Sequence, residues 1–261
     1  MAHDTTERAE NQGWMFTDEE RERFARNLVL AGVGEAGQAR LRAARVLVVG
    51  AGGLGSPACL YLAAAGVGTL GIVDFDRVGL SNLNRQILHT SADLGRLKTD
   101  SAAQRLTALD PALQVQPYPE SLTLERALEL LPAYDLVVEC SDTFETKFLV
   151  NQACVRTGTP LVWGSVLAWE GQMSVVLPGQ GPCYRCLFPP APRLEHAPTS
   201  RQVGILGAVA GTIGALEAVE AVKLLLGVGR PPVGRLRVWD ALQGVFEEVA
   251  FARQPGCPVC G

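Results

Sequence analysis

Short runs of aliphatic and β-branched residues alternate along the chain with longer stretches in which apolar residues recur at helical spacing. Continuous apolar runs such as 45–49 are typical of strands that a parallel sheet buries on both faces. The pattern predicts strands at 45–49, 70–74, 113–117, 135–139 and 161–165, with helices at 56–65, 97–109, 124–131 and 143–157 between them. Strands that alternate with helices indicate βαβ units, so we expect an α/β fold with a Rossmann-like, doubly wound, mainly parallel sheet.

The alternation stops at both ends of this region. Helices are predicted at 18–30 and 38–43, before the first strand, and a strand at 172–177 is followed by no helix. The proline-rich stretch 179–199 predicts a long crossing loop. After it the pattern predicts a helix at 209–226 and an antiparallel hairpin of strands 235–238 and 245–251, half exposed at the edge of the sheet.

These changes of pattern divide the chain into three parts. We expect an N-terminal helical segment (1–44), a Rossmann-like nucleotide-binding part (45–166), and a C-terminal part (167–261) with the crossing loop and the antiparallel strands. The parts are expected to form one continuous domain.

The composition excludes several classes of protein. The 261 residues are 48% hydrophobic and 19% charged, which provides for a large core and argues against disorder. A formal net charge of −4 argues against nucleic-acid binding, which needs a dominant basic surface. Residues 1–11 are polar and lack the apolar stretch of a secretory signal, so we expect a cytoplasmic protein.

One uncharged segment, 46–73, is long enough to span a bilayer. It contains seven glycines and Pro57, which predict a strand, a turn, a helix, a turn and a second strand. We therefore expect no membrane association.

The residues at 50–55 fit the pattern G-x-G-x-x-G between a predicted strand and a predicted helix. The glycines of this loop, Gly50, Gly52, Gly53 and Gly55, would let the backbone approach a phosphate at the helix N-terminus. Asp74 ends the next strand, where a carboxylate can bond to ribose hydroxyls. The combination predicts an adenine nucleotide or a dinucleotide, with NAD as the first candidate; the alternative is that the glycines serve only helix–strand packing.

Charged residues further along the chain favour a triphosphate over NAD. Arg85 and Lys98 can offset the charge of phosphates, and Asp142, after a predicted strand, can hold a Mg²⁺ ion that bridges them. Each charge alone is more typical of a solvated surface. Together they are predicted beside the glycine loop, at the carboxyl ends of strands, where open α/β sheets bind ligands. The sequence therefore predicts ATP and Mg²⁺.

Four of the seven cysteines form two C-x-x-C pairs, Cys183 with Cys186 and Cys257 with Cys260. In a reducing compartment this arrangement predicts a structural Zn²⁺ site, because four thiolates complete a tetrahedral shell. The ion would join the crossing loop to the C-terminal tail; the alternative is a pair of redox dithiols. The other candidate ligands are expected to be core, structural or exposed residues: Cys59, Cys140 and Cys154, and His3, His89 and His196.

The chain resembles the MoeB/ThiF-type adenylyltransferases of the ubiquitin-activating-enzyme superfamily from about residue 24 to residue 261. The motifs that carry the resemblance are 26–28, the glycine loop, 74–76, 81–86, Lys98, 140–142 and the two cysteine pairs. The resemblance implies a homodimer that uses ATP to activate the C-terminal glycine of a ubiquitin-like sulfur carrier as an acyl-adenylate, with release of pyrophosphate.

The resemblance also implies roles for individual residues. Asp74 would bind the ribose, and Asp142 would bind Mg²⁺. Arg26 would reach the ATP site of the neighbouring subunit. The phosphate contacts would come from Asn82, Arg85 and Lys98, and Asp76 and Gln86 belong to the same nucleotide-binding motifs.

Some relatives carry a cysteine in the crossing loop that receives the activated acyl group, and Ser200 stands at that position here. We therefore expect no thioester or acyl-disulfide step at residue 200. The sequence ends at Gly261, so sulfur is expected from a separate donor such as a cysteine desulfurase or a rhodanese. The thiocarboxylated carrier would serve molybdopterin, thiamine or thiolated-tRNA synthesis.

Three other functions remain open on the sequence. An NAD-dependent oxidoreductase would explain the glycine loop and Asp74, but not Arg85, Lys98, Asp142 or the cysteine pairs. A non-catalytic partner subunit would lack ATP-binding residues, and none is missing here. An enzyme that adenylates another carboxylate, on a small molecule or a tRNA, would need the same nucleotide site.

Overall fold

The protein, described here as a computed structural model, is built around one eight-stranded mixed sheet. The structure describes residues 15–188 and 200–261. The strands lie in the order β3-β2-β1-β4-β5-β6-β7-β8. Their bounds are β1 Arg45–Val49, β2 Thr69–Val73, β3 Gln114–Tyr118, β4 Leu136–Glu139, β5 Leu161–Leu167, β6 Glu170–Val176, β7 Arg235–Asp240 and β8 Val245–Ala250.

Helices cover both faces of the sheet. In the described residues they are α1 Asp18–Arg23, α2 Ala25–Leu28, α3 Gly34–Ala43, α4 Gly55–Ala64, α5 Lys98–Leu109, α6 Leu124–Leu130, α7 Phe144–Thr157, α8 Tyr184–Leu187, α9 Ser200–Val203 and α10 Gly207–Leu226. One core cluster packs α3, α4, α5 and α10 against the sheet, and a second packs α6 and α7 against the other face. This is the doubly wound α/β fold that the hydrophobic pattern predicts.

The first five strands in the sheet order are parallel, and the last three pairings are antiparallel. Strands β1 to β5 come from the predicted part 45–166, which β5 exceeds by one residue. Strands β6 to β8 come from the part 167–261. Both parts of the chain therefore build the same sheet. The carboxyl ends of β1, β2 and β4 meet at one edge, because these strands pair in parallel. This edge is where the candidate site lies.

The predicted helix at 18–30 is wrong in one respect, because it is broken at Phe24 into α1 and α2. The Phe24 ring is 1% exposed and fills the space in which a Cβ on Gly66 would lie. The Arg42 guanidinium covers the same ring, 5.5 Å from its centroid. The break thus coincides with the residue of this segment whose ring is buried against Gly66 and Arg42. The helix predicted at 38–43 also begins earlier, at Gly34.

The crossing loop contains a short helix, α8, which the sequence did not predict. Residues 189–199 of the predicted loop lie outside the described residues, as do His3 and His196. The predicted hairpin is confirmed, although its second strand is exposed along its whole length and not only on one face.

The uncharged segment 46–73 forms β1, a loop, α4 and β2. Among the described residues, no helix is both long and apolar enough to cross a membrane.

Candidate functional site

The glycine loop connects β1 to α4 at the carboxyl edge of the sheet. Gly50 has a φ of +96°, and a Cβ there would lie 2.9 Å from the carbonyl oxygen of Cys140. A Cβ on Gly55 would overlap the carbonyl of Gly50. The fold itself therefore requires glycine at positions 50 and 55. For these two residues, the alternative that the glycines serve helix–strand packing is sufficient.

Gly52 and Gly53 have more space. A Cβ on Gly52 would meet only the amide nitrogen of Gln86, at 3.7 Å, and one on Gly53 would lie 3.2 Å from the Cβ of Ala210. Packing alone does not require glycine at position 52. A bare backbone at this position leaves the loop open to the close approach of a phosphate.

The Asp74 carboxylate joins the loop to the end of β2. Its Oδ2 accepts a hydrogen bond of 2.8 Å from the backbone N–H of Ala51, and its Oδ1 accepts one of 2.8 Å from the N–H of Asp76. The Asp74 side chain is 9% exposed. The predicted ribose-binding residue is thus held against the glycine loop.

Lys98 begins α5 and brings a positive charge to the same place. Its Nζ lies 2.8 Å from Oδ2 of Asp76 and 3.8 Å from Oδ2 of Asp74. Its side chain is 6% exposed, whereas that of Asp76 is 51% exposed. The structure therefore brings Asp74, Asp76 and Lys98 together, in an ion-paired cluster with one open side.

The motif 81–86 covers the loop from the other side. Asn82 Oδ1 accepts a hydrogen bond from the Gly79 N–H, which fixes the turn. The Arg85 guanidinium donates to the Ser81 carbonyl at 2.9 Å, and the Arg85 stem lies 3.6 Å from where a Cβ on Gly53 would be. Gln86 is buried, and its Oε1 has no hydrogen-bond partner within the described part of the chain. A buried acceptor without a partner is costly unless a ligand satisfies it.

Asp142 lies at the same edge. Its side chain is exposed. Cys140 and Ser141 connect it to the end of β4, and backbone atoms of these two residues lie next to Gly50. Its backbone position is thus tied to the glycine loop.

Arg26 is the one predicted site residue that the structure does not bring to this edge. It lies on the exposed face of α2. The next residue, Asn27, donates to the carbonyl of Ala65, at the C-terminal end of α4. The glycine loop lies at the N-terminal end of that helix. Within one chain, Arg26 and the loop are at opposite ends of α4.

His89, which we expected to be structural or exposed, is buried under the loop. Its Nε2 lies 3.0 Å from the carbonyl oxygen of Ala51, and its Nδ1 lies 2.8 Å from Oγ of Ser101 on α5. Burial lowers the pKa of the imidazole, so the neutral ring is favoured. Because the Ala51 oxygen is an acceptor, Nε2 carries the proton, and Nδ1 accepts from Ser101.

A buried charged cluster below the Asp142 turn was not predicted. Lys147 on α7 forms an ion pair with Glu139 and donates to the carbonyl of Gly164 at 2.6 Å. Glu217 on α10 is fully buried nearby, with its Oε2 3.6 Å from Sγ of Cys140. The available sequence signal is a lysine in the stripe of α7 that also contains the buried residues Asn151 and Cys154.

The two C-x-x-C pairs meet in one cluster, as predicted. The Sγ–Sγ distances are 4.0 Å for Cys183–Cys186, 3.8 Å for Cys183–Cys257 and 3.4 Å for Cys186–Cys260. All four sulfurs lie within 4.8 Å of one another. Four thiolates at about 2.3 Å from a Zn²⁺ ion would be about 3.8 Å apart, so the cluster has the dimensions of a metal site.

The thiols of this cluster differ in acidity. Burial raises the pKa of Cys183. Burial acts in the same direction at Cys257, but hydrogen bonds from the backbone N–H groups of Cys260 and Val259 outweigh it and lower the pKa of Cys257 to about 7. The remaining cysteines, Cys59, Cys140 and Cys154, are buried away from the cluster, and burial raises the pKa of each. They are core thiols, as predicted.

The sequence is similar to adenylyltransferases over almost its whole length. It is 49% identical to a sulfur carrier protein adenylyltransferase of Thermus thermophilus, over 94% of this chain and 93% of that protein. It is 45% identical to a SAMP-activating enzyme E1 of Haloferax volcanii, over 92% of this chain and 88% of that protein. It is also 49% identical to the adenylyltransferase and sulfurtransferase MOCS3 of Bos taurus, over 93% of this chain, and spans about half, 54%, of that longer relative.

The fold is similar to that of solved structures. The crystal structure of E. coli MccB with ATP superposes with a TM-score of 0.82 over 94% of this chain and 75% of that one, at 22% sequence identity. Residues 24–259 match the ThiF family. The chain therefore belongs to the ThiF family. Its relatives at up to 49% identity make it an adenylyltransferase.

Proposed function

We propose that the protein uses ATP to adenylate the C-terminal glycine of a ubiquitin-like sulfur carrier and releases pyrophosphate. One observation carries the proposal: the glycine loop, Asp74 and Lys98 form one connected group in a chain that is 49% identical to a sulfur carrier protein adenylyltransferase. The alternative of an NAD-dependent oxidoreductase explains neither this relationship nor the cations at the site.

The loop and its neighbours would hold ATP. Asp74 has its carboxylate at the end of β2, where it would accept bonds from the ribose hydroxyls. The open backbone at Gly52 and the N-terminus of α4 would receive the phosphates. The orphaned Oε1 of Gln86 is an acceptor, so a donor group of the ligand, such as a ribose hydroxyl, would satisfy it. Arg85 and Lys98 would offset the phosphate charge, with Asn82 beside them.

Asp142 would hold Mg²⁺. Its exposed carboxylate is an oxygen ligand of the kind that Mg²⁺ prefers, and Mg²⁺ typically uses one or two carboxylates together with phosphate oxygens. When bound, the ion would neutralise charge on the phosphates.

The chemistry needs positioning more than proton transfer. The nucleophile is a carboxylate that is already ionised at neutral pH, so no general base is required. The chain has to bring this anion in line with the α-phosphate and stabilise the departing pyrophosphate. Lys98 can do so by exchanging its pairing with Asp76 for a phosphate oxygen, since Asp76 is exposed and the ion pair lies at the open side of the cluster.

An apolar path would receive the tail of the carrier. Trp169, at the β5–β6 turn, and Leu206, just before α10, are 45% and 42% exposed. A bridge between Ala168 and Ile205 holds these two segments together. The start of α10 then touches the 81–86 motif, because a Cβ on Gly207 would collide with the carbonyl oxygen of Asn84. These contacts lead from the exposed hairpin to the nucleotide site, and we propose that the Gly-Gly tail of the carrier lies along them.

A homodimer would complete the site with Arg26. Exposed apolar residues of α4, α10 and the loop motif form one strip, with Tyr61, Val219 and Ile87 among them. A two-fold axis through this strip would carry the partner's copy of α2 to the glycine loop. The strip thus fits a second copy of this chain.

The cysteine cluster would bind a structural Zn²⁺ ion. Its four sulfurs have tetrahedral dimensions, and the cluster joins α8 in the crossing loop to the C-terminal tail. A four-thiolate shell leaves no position for a substrate. The meeting of the two pairs in one cluster argues against two separate redox dithiols. We propose a cytoplasmic protein in which sulfur comes from a separate donor.

ATP–pyrophosphate exchange tests the proposal. Purified protein with Mg²⁺ is supplied with radiolabelled pyrophosphate and a panel of small carriers that end in Gly-Gly. We expect exchange only when a carrier is present, and the most active carrier identifies the pathway. The absence of exchange with every carrier, from a zinc-loaded and folded dimer, would favour another carboxylate substrate or a non-catalytic partner subunit.

A further inference from the structure

The geometry below β4 points to two positioning residues that the family motifs do not include. We propose that the buried ion pair of Lys147 and Glu139 sets the position of the Ser141–Asp142 turn, and with it the carboxylate at the nucleotide. The proposal rests on the proposed function, because Asp142 is the residue that we assign to Mg²⁺.

Glu139 connects the end of β4 to the turn that follows. It is the last residue of the strand and is fully buried. Its Oε1 accepts a hydrogen bond of 2.9 Å from the backbone N–H of Ser141, and its Oε2 is paired with Nζ of Lys147. Since Asp142 follows Ser141 directly, the Glu139 side chain fixes the direction in which the chain delivers Asp142.

Lys147 connects this turn to two other elements. It lies in the first turn of α7 and donates to the carbonyl of Gly164 on β5 at 2.6 Å. Its side chain is 4% exposed. A Cβ on Gly164 would lie 2.7 Å from the carboxyl carbon of Glu217, so Glu217 packs directly against the residue whose carbonyl accepts from Lys147. One ammonium group thus ties together β4, β5 and α7.

The charges of the cluster balance. Glu139 and Lys147 form the ion pair, and burial raises the pKa of Glu217 well above its ordinary value, which favours the neutral acid there. Cys140 contacts that carboxyl through its thiol, and burial raises the pKa of Cys140 as well. The cluster therefore holds one positive and one negative charge.

Stability alone does not account for this pair. Replacing a buried ion pair with apolar residues of similar volume is often neutral or stabilising, so a core at this place would not require one. An apolar pair would leave the Ser141 N–H and the Gly164 carbonyl without these partners. Groups behind a metal ligand typically change metal affinity 10- to 100-fold when they are replaced.

The test uses the double variant Glu139→Leu/Lys147→Met in the full-length protein, in which position 139 has no acceptor left for the Ser141 N–H. This variant removes both charges together and so avoids leaving one buried charge unpaired. The matched control is the double variant Arg42→Met/Asp110→Asn, which removes both charges of the equally buried Arg42–Asp110 ion pair. That pair lies beyond the amino end of β1, away from the site.

Three measurements are made on each protein. The first is the Mg²⁺ concentration for half-maximal exchange. The second is the rise in melting temperature that ATP causes with and without Mg²⁺, which needs no turnover. The third is the hydrogen-exchange rate of the backbone amides in 140–147, which in the wild-type protein reports directly on the Ser141 N–H.

We expect the double variant to need at least about 10-fold more Mg²⁺, to lose most of the Mg²⁺-dependent part of the ATP shift, and to exchange amides at 140–142 faster. The control should melt at a lower temperature but keep the wild-type Mg²⁺ requirement. The proposal is wrong if the double variant keeps that requirement, or if the wild-type Ser141 amide exchanges at the rate of an unbonded one. If the wild-type protein shows no carrier-dependent exchange, the proposed function fails, and the melting and hydrogen-exchange results still decide the role of the pair.

Discussion

The Asp74 carboxylate accepts a hydrogen bond of 2.8 Å from the backbone N–H of Ala51. This bond joins the residue expected to bind ribose to the loop expected to bind phosphate. The same loop is held from below by His89, at the Ala51 carbonyl. The N–H and the carbonyl of Ala51 are thus both occupied by the protein, which holds this part of the loop in one orientation. The site is preorganised before nucleotide binds.

Substitutions at two glycines of the loop distinguish a role in packing from a role in nucleotide binding. Gly55→Ala should destabilise the protein by about 1–3 kcal/mol or more, because the new Cβ would overlap the Gly50 carbonyl. Gly52→Ala should leave the melting temperature nearly unchanged and weaken ATP binding, since its Cβ would meet only the Gln86 amide. Melting curves and calorimetric titration with ATP measure the two effects. Equal ATP affinity in Gly52→Ala and wild type would show that position 52 does not face the nucleotide.

Asp142→Asn should lower the rate of pyrophosphate exchange by at least about 100-fold, because the carboxylate that holds Mg²⁺ is lost. The exposed side chain makes no core contact, so the melting temperature should stay within about a degree of wild type. Glu145→Gln, another exposed carboxylate at the start of α7, serves as the control and should keep full activity. An active Asp142→Asn enzyme would remove Asp142 from the site.

Removal of one cysteine tests the metal site. Cys257→Ser should release Zn²⁺ and destabilise the C-terminal tail and α8, since metal affinity contributes directly to folding. Metal analysis and limited proteolysis measure both effects. Cys154→Ser, in the core but outside the cluster, should retain one equivalent of zinc. Unchanged metal content in Cys257→Ser would contradict the assignment.

Arg26 can be tested by mixing two inactive proteins. If each ATP site uses Arg26 of the partner subunit, dimers of Arg26→Ala with Asp142→Ala chains contain one complete site. Random assembly should then restore about a quarter of the wild-type exchange rate, because half of the dimers have one of two sites intact. Sedimentation confirms that dimers have formed. If the mixture stays inactive although subunits exchange, Arg26 acts within its own chain or has no role.

Glu217 gives the protein a pH-dependent stability. Burial raises its pKa in the folded state above the ordinary value of 4.5, so the unfolded chain binds fewer protons above that pH. Its contribution is therefore complete below pH 4.5 and is lost as the pH rises toward the folded pKa. Lys147, Glu139 and Cys140 are the groups that face it.

Glu217→Gln removes this titration. The variant should gain in melting temperature relative to wild type as the pH is raised from 5 to 9, the sign that follows from the raised pKa. Glu247→Gln, on exposed β8, should show a constant difference. A Glu217→Gln difference that shrinks with rising pH would mean that the folded state holds Glu217 ionised.

The central strands β1, β2 and β4 could be predicted because each is a largely apolar run, and their parallel arrangement follows from their alternation with helices. The break at Phe24 could not be predicted, since it depends on the empty space beside Gly66, 42 positions along the chain. In the site, the glycine loop, Asp74 and Lys98 could be predicted, because each belongs to a recognisable sequence motif. The pairing of Lys147 with Gly164 joins α7 to β5 and has no local pattern.

The separation of Arg26 from the loop is a further result that only the fold provides. The sequence resemblance implies a role in the neighbouring subunit, and the fold places the residue at the far end of α4. In the same way, the spacing of the cysteines suggested one shared site, but only the structure brings Cys183 within 3.8 Å of Cys257.

The most direct test of the central claim is the mass of a carrier after incubation. A ubiquitin-like carrier ending in Gly-Gly is mixed with the protein, ATP, Mg²⁺ and pyrophosphatase, and analysed by intact mass spectrometry. We predict that the carrier gains one adenylyl group and that a carrier without its last glycine gains none. An unchanged mass for every carrier tested, in the presence of active and zinc-loaded protein, would contradict the account.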